Sequence, residues 1–285
     1  MAQTKKKVSV NDIMAMKGSE RISVLTAYDY STSLICDKAG VDVLLVGDSA
    51  GNVMLGYAST VPVNMQEMAT FCGAVARGVK RAMIVGDMPF GSYQPSPTVA
   101  VKNAVQLVKA GCDAVKLEGG SEIIGTIKAI ADAGIPVMGH IGLKPQTSSL
   151  WEGYKLQGRT KEAATRLIED AKALERAGVF SIVLEMVASE VAEEITKSVS
   201  VPTIGIGSGA GCDGQVLVLH DMLGIYEDIK PRFVKRYAEI GKSIFDAVSD
   251  YTREVKQGTF PEESNTFHMG PEELEKFRKA VKGKS

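Results

Sequence analysis

A chain of 285 residues with 45% apolar side chains can fill a sizeable core, and its length suits either two small domains or one large barrel. Its 33 basic and 34 acidic residues nearly cancel, to a net charge of −1, and are spread along the chain, which argues against a nucleic-acid partner. No apolar stretch approaches the roughly 20 residues needed to cross a bilayer, which argues against a membrane protein.

Met1 to Lys7 is basic but lacks the apolar run of about seven or more residues that a secretory signal carries, so a cytoplasmic location is expected. Val10 to Lys17 reads as a short helix capped by Ser9 or Asn11 and placed to close the bottom of a barrel. Ile22 to Thr26 is a first strand and Ser31 to Ala39 a helix stopped by Gly40. Val41 to Val46, apolar apart from Asp42 and too short for a helix, suits a parallel strand covered on both faces. Gly51 to Val63 is longer than a plain strand-to-helix turn and is expected to lie over the site as a loop. A helix over Asn64 to Val79 leads to strand three within Ala82 to Pro89. The Ser-Pro pair then opens a helix over Ser96 to Ala110. Asp113 to Glu118 is strand four, followed by a helix from Ser121 to Ala133.

Ile135 to Gly142 carries strand five, ending at His140. Leu143 to Arg159 is the largest irregular stretch, and its polar residues together with Trp151 favour an ordered lid. Beyond it come a helix over Lys161 to Ala177, strand six over Ser181 to Glu185, a helix over Ala188 to Val199 and strand seven over Val201 to Ile206. The glycine run Gly205-Ile-Gly-Ser-Gly209 either cradles a phosphate or gives close approach to a bulky ligand. Gln215 to Leu219 is strand eight. Eight strands with intervening helices predict a single (β/α)8 TIM barrel over about residues 20–225, with an N-terminal capping helix and a helical C-terminal extension over about 231–285. Within that extension, Arg232 to Asp250 shows apolar residues at helical spacing. The four cysteines, Cys36, Cys72, Cys112 and Cys212, lie far apart with no CxxC pair, as buried thiols in a reducing compartment do.

Three consecutive strands end in an acid: Asp48, Asp87 and Glu118. At the carboxyl ends of barrel strands such residues meet a ligand. Ser49, Lys116, His140 and Glu185 occupy the same topological place, and Lys116 and Glu118, two apart in one strand, share a face. Three carboxylates in a partly dry cavity repel one another unless a cation sits among them, and oxygen-only donors point to a hard ion such as Mg2+ rather than zinc. Lys116 either neutralises a substrate carboxylate or oxyanion or forms a plain salt bridge. Glu185, desolvated by Ile182 to Leu184, is either a base with a pKa raised toward neutrality or part of a structural ion pair. His140 either hydrogen-bonds to the metal shell or the substrate, or satisfies a backbone carbonyl. A metal-bound 2-oxo acid that loses a proton beside its carbonyl is one use of such a rim; an enolate-forming lyase or mutase and a non-catalytic scaffold are the alternatives. The lyase reading lacks a rim cysteine, and the scaffold has no use for three converging acids.

The residues also carry a resemblance. Thr26-Ala-Tyr-Asp29, Val46-Gly-Asp-Ser49, Ser59-Thr60 with Pro62, Asp87-Met-Pro-Phe90, Val115-Lys-Leu-Glu-Gly-Gly120, Gly139-His-Ile-Gly-Leu143 with Pro145-Gln146, Gly153-Tyr-Lys with Gln157-Gly-Arg159, Leu184-Glu185, and Gly205 to Gly209 with Asp213-Gly-Gln215 follow one pattern. In order and spacing, over nearly the whole barrel, this is similar to ketopantoate hydroxymethyltransferase (3-methyl-2-oxobutanoate hydroxymethyltransferase). The resemblance implies transfer of a hydroxymethyl group from 5,10-methylenetetrahydrofolate to 3-methyl-2-oxobutanoate, giving 2-dehydropantoate and tetrahydrofolate on the route to pantothenate. It implies Mg2+ reached by Asp48, Asp87 and Glu118, an oxo acid held by Asp48, Ser49, Asp87 and Lys116, Glu185 as proton acceptor, and a homo-oligomer, often a decamer. The chain departs from the pattern at Ala58, at Met186-Val-Ala188 and at Asn265-Thr-Phe267.

Overall fold

The computed structural model describes residues 6–147, 155–228 and 230–283. The expected lid residue Trp151 and the Gly153-Tyr154 step lie outside the described residues, as does most of the stretch read for a signal. The chain divides into two compact units, Met1–Ala238 and Glu239–Ser285.

The first unit is a closed barrel of eight parallel strands in sequence order: β1 Ile22–Thr26, β2 Val43–Val46, β3 Met83–Asp87, β4 Ala114–Glu118, β5 Val137–Gly142, β6 Ser181–Glu185, β7 Thr203–Ile206 and β8 Gly214–Leu217. β8 pairs with β1, with Val24 opposite Val216, and so closes the ring. The strands sort by face. Val24, Val43, Met83, Val85, Ala114, Met138 and Val216 form one buried cluster inside the barrel, while Leu44, Ile84, Val115, Val137 and Ile182 belong to the core between strands and helices. Both faces are therefore apolar, which is why these strands read as continuous apolar runs.

The helices of this unit are α1 Val10–Ala15, α2 Tyr30–Ala39, α3 Ala50–Val53, α4 Met65–Gly78, α5 Pro97–Ala110, α6 Ile124–Asp132, α7 Lys161–Arg176, α8 Ser189–Ser198 and α9 Leu219–Met222. α1 starts in a capping box: the Ser9 hydroxyl accepts from the Asp12 N–H, and the Asp12 carboxylate accepts from the Ser9 N–H at 2.8 Å. It places fully buried Ile13 in the cluster inside the barrel, beneath Ile22 and Val24.

Four stretches depart from the sequence expectation, each for a local reason. The loop over Gly51 to Val63 is preceded and partly replaced by α3, because the chain folds back so closely that a side chain on Gly51 would strike Val63. The helix expected from Ser121 begins as a single 3-10 turn, Ser121–Ile123, and becomes α-helical at Ile124. Ser121 directs its backbone N–H and hydroxyl to Asp170 instead of capping. β8 stops at Leu217 because Thr26 Oγ1 accepts the Leu219 N–H at 3.0 Å and draws that residue into α9. Residues 231–239 are not helical. Phe233 packs over Gly207, and the Tyr237 N–H donates to the Met222 carbonyl at 2.9 Å, which holds the segment against the barrel.

The second unit contains α10 Ile240–Gln257 and α11 Pro271–Lys282. α10 carries Ile244, Val248, Tyr251 and Val255 along one face at helical spacing. Among the described residues, no helix is long and apolar enough to cross a membrane.

Ile13 has no polar contribution to make, so its role in closing the barrel is testable by truncation. Ile13→Ala is expected to lower stability by about 3 kcal/mol through a cavity at the barrel floor, read as a shifted denaturant midpoint. An unchanged midpoint would place the closure elsewhere.

Candidate active site

The polar residues gather because of how parallel register meets the end of each strand. Asp87 of β3 lies opposite Lys116 of β4, Glu118 lies opposite His140 of β5, and Gly142 lies opposite Glu185 of β6. Each pair sits on the inward face, and the stagger between strands carries the series around the rim. Asp48 and Ser49 follow β2 directly. All seven residues singled out from the sequence (Asp48, Ser49, Asp87, Lys116, Glu118, His140 and Glu185) line one cavity of about 350 Å3 at the carboxyl ends of the strands.

Their contacts form a connected series. The Lys116 ammonium lies 2.7 Å from Asp87 Oδ1, with both side chains almost fully buried. On its other side it lies 3.3 Å from His140 Nδ1. An ammonium only donates, so Nδ1 is the acceptor and the ring proton is assigned to Nε2, which stands 3.3 Å from Glu185 Oε2. Asp87 Oδ2 accepts the Asp48 N–H at 3.2 Å. Lys116 thus joins the acids of β2 and β3 to the His140–Glu185 pair across the cavity floor.

Gln146, fully buried, was not among the residues expected to build the site, although the Pro145-Gln146 step belongs to the matched pattern. Its side-chain amide donates to Asp48 Oδ2 at 2.8 Å and to the Met88 carbonyl at 3.0 Å, and its backbone N–H donates to Glu118 Oε2 at 3.1 Å. Tyr93 holds Gln146 in turn: its hydroxyl donates to Gln146 Oε1 and lies 2.9 Å from the Glu118 carbonyl oxygen. Tyr28 shares a 2.8 Å hydrogen bond with the Ser49 hydroxyl. Buried glutamine and tyrosine leave no pattern that separates them from ordinary core, so sequence reasoning passes over them.

Burial of so many acids shifts their protonation. Asp48 is pushed up to about 7 by burial and then by the Asp87 charge, against the pull of Lys116. Burial and Asp48 raise Glu118 well above the usual carboxylate range. Glu185 is raised to about 7 by burial, with Lys116 opposing; 16% of its side-chain surface remains open to the cavity. Burial also disfavours the Lys116 charge, but Asp87, Glu118 and Asp48 outweigh it and hold the ammonium above its ordinary value. Burial and the Lys116 charge keep His140 well below its ordinary value, hence neutral. Among the described residues, no group of three His, Cys, Asp or Glu side chains is arranged to hold a metal ion as it stands. Gln146 occupies one oxygen of both Asp48 and Glu118, and Lys116 occupies one of Asp87.

The strand carrying Glu185 is held from both sides. Gly142 has φ 97°, and a side chain there would strike the Glu185 carbonyl oxygen. Ser208 accepts the Val187 N–H at 3.0 Å and donates to the Leu184 carbonyl at 2.7 Å. Met186 follows at φ 46°, a left-handed conformation that costs a non-glycine residue about 1–2 kcal/mol and aims its side chain into the cavity. The glycine run after β7 serves the protein's own side chains. Added Cβ atoms would meet Cys212 at Gly205, the Phe233 ring at Gly207 and Ser189 at Gly209. All four cysteines are buried, and none lines the cavity.

A family model described as ketopantoate hydroxymethyltransferase matches residues 7–263. The chain is 58% identical over 274 residues to the 3-methyl-2-oxobutanoate hydroxymethyltransferase of Nitrosopumilus maritimus, covering 96% of this chain and 98% of the relative. It is 55% identical over 271 residues to the enzyme of the same name from Staphylothermus marinus, covering 95% and 100%. The crystal structure of 2,3-dimethylmalate lyase, a PEP mutase/isocitrate lyase superfamily member, superimposes with a TM-score of 0.57 at 16% identity over 96% of this chain and 97% of that one, a likeness of fold.

A carboxyl raised from 4.5 to about 7 binds its proton more tightly in the folded state than in the unfolded one. Its contribution to stability is therefore full below pH 4.5 and is lost as pH rises through 7. Removing the charge removes that loss. Glu185→Gln is expected to be as stable as the parent near pH 4.5 and more stable by about 2 kcal/mol at pH 8, read from denaturant midpoints in chelator. An equal difference at both pH values would show that Glu185 carries no raised pKa.

Proposed function

The chain belongs to the ketopantoate hydroxymethyltransferase family, and on that premise we propose that it transfers a hydroxymethyl group from 5,10-methylenetetrahydrofolate to 3-methyl-2-oxobutanoate, giving 2-dehydropantoate and tetrahydrofolate. The observation that carries the reading is the Asp87–Lys116–His140–Glu185 series, which sets an ammonium and a near-neutral carboxyl on one small cavity beside buried acids. Such a site suits a small anionic oxo acid whose neighbouring carbon must lose a proton.

Asp48, Asp87 and Glu118 are the residues that would hold Mg2+. The donor set fits: it is all oxygen, and the charge of Asp87 raises Asp48 while the charges of Asp48 and Asp87 raise Glu118, a repulsion that a cation among them would relieve. Mg2+ commonly takes only one or two protein carboxylates and keeps waters, so three acids that do not close on one point still suit it. Bound there, the ion supplies the electron withdrawal that acidifies the carbon beside the keto group.

The chain's own residues do the rest. Lys116 and the Ser49 hydroxyl offer donors to the oxo-acid oxygens. Glu185 takes the C3 proton, and its raised pKa suits a base working near pH 7. The electron pair released at C3 forms the C–C bond to the methylene carbon as one donor nitrogen leaves and takes up the proton removed from C3. A water molecule then supplies the hydroxyl to that carbon as the second donor nitrogen leaves with the water's proton, completing tetrahydrofolate. Neutral His140, whose Nε2 lies 3.3 Å from Glu185 Oε2 without a directed hydrogen bond, stands beside the base and is close enough to donate to the carboxylate once the base is ionised. The apolar face of α10 supports a homo-oligomer, with a decamer as the form that the resemblance implies. A cytoplasmic location is part of the same reading.

Purified protein given 3-methyl-2-oxobutanoate, methylenetetrahydrofolate and Mg2+ is expected to form 2-dehydropantoate, with loss of activity in chelator and recovery on returning Mg2+. Turnover of isocitrate or methylisocitrate without folate would favour a lyase instead. Glu185→Gln is expected to retain oxo-acid binding while C3 proton exchange in heavy water slows by about 100-fold or more. Exchange at the parent rate would remove Glu185 from the role of base.

A further inference from the structure

The polar series occupies only one part of the cavity. From Met186 outward the lining changes character, to Ile206, Val216, Val218 and Phe233, with Tyr226, Arg232 and one acid, Asp221 of α9, also on the cavity wall. Phe233 and Met186 converge over Gly207, where an added Cβ would lie 2.9 Å from the Phe233 ring and 3.4 Å from Met186 Cγ. This gives the apolar half a flat wall that begins one residue from the proposed base. Asp221 makes no side-chain hydrogen bond and no ion pair within 4 Å among the described residues, although it is half-buried; burial raises it to about 6, against the more distant Arg236 charge. A carboxylate left without a partner in an apolar wall costs stability unless a ligand supplies donors.

We propose that this half of the cavity is the donor subsite, in which the Phe233–Met186 wall receives the flat face of a reduced pterin and the Asp221 carboxylate accepts hydrogen bonds from its 2-amino and N3–H groups. The assignment rests on the folate-dependent reading above. It follows from chemistry: a 2-amino-4-oxopyrimidine presents two N–H donors side by side on one edge, a pairing that a carboxylate accepts through both oxygens. Among the described residues, no other acid lines the apolar part, and the acids of the polar part lie against Lys116, Gln146 and His140. Stacking the ring on Phe233 directs its one-carbon end toward Met186 and the neighbouring Glu185, where C3 of the oxo acid must be attacked.

The test compares binding of tetrahydrofolate and of its 2-desamino-2-methyl analogue to parent and Asp221→Asn proteins, with KM measured for both substrates. The parent is expected to bind tetrahydrofolate about 10- to 100-fold more tightly than the analogue, and Asp221→Asn is expected to lose most of that preference. The KM for methylenetetrahydrofolate should rise by a similar factor while the KM for 3-methyl-2-oxobutanoate changes less than about twofold, which also reports an intact fold. Phe233→Ala, which leaves the acid in place, should weaken tetrahydrofolate and its analogue equally. An Asp221→Asn protein that keeps the parent's preference between the two ligands overturns the subsite while leaving the transferase reading intact. A parent that neither binds nor turns over the folate overturns the transferase reading and the subsite with it.

Discussion

One buried ammonium stands among three buried carboxylates and a fourth, Glu185, that is partly open to the cavity, and the rest of the site follows from that imbalance. Lys116 pairs closely with Asp87, yet burial drives Asp48, Glu118 and Glu185 toward their protonated forms, reinforced for Asp48 and Glu118 by repulsion from neighbouring acids. A fold that needed only stability would not assemble such a group, since removing acids from water without full compensation is costly. The group instead suits a working state in which an additional cation and an anionic substrate complete the charge balance.

The barrel meets this cost through rigid supports. Gln146 and Tyr93 hold Asp48 and Glu118, Gly142 and Ser208 hold the end of β6, and the parallel register of β3 to β6 fixes the order of the polar series. None of these supports lies in the cavity's apolar half, where Met186 in its left-handed conformation and Phe233 over Gly207 shape the wall. The cavity thus has two chemically distinct halves that meet at Glu185, which is what joining two unlike reactants requires.

Much of this was legible in the sequence because it depends on strands whose ends are marked by acids. An apolar run closing on Gly47-Asp48 or Gly86-Asp87 announces both the strand and its polar end, and the spacing of Lys116 and Glu118 places them on one face. What escaped depends on contacts between distant segments. The role of Gln146 arises only once the chain after β5 reaches back to β2 and β4. Leu219 is captured into α9 by Thr26, 193 residues earlier, and no local periodicity signals that. The glycine run after β7 suggested a ligand, but its open positions are taken by Phe233, Ser189 and Cys212. Apolar spacing from Arg232 onward suggested a helix that does not begin until Ile240, because Phe233 and Tyr237 are held by the barrel.

On the proposed reading, the charge imbalance on the cavity floor is completed jointly by a divalent cation and an oxo acid. Calorimetric titration of Mg2+ into the protein, with and without saturating 3-methyl-2-oxobutanoate, tests it most directly. The oxo acid is expected to tighten Mg2+ binding, and Mg2+ to tighten oxo-acid binding by the same factor. Mg2+ binding that is absent in both titrations, or unaffected by the oxo acid, would contradict it.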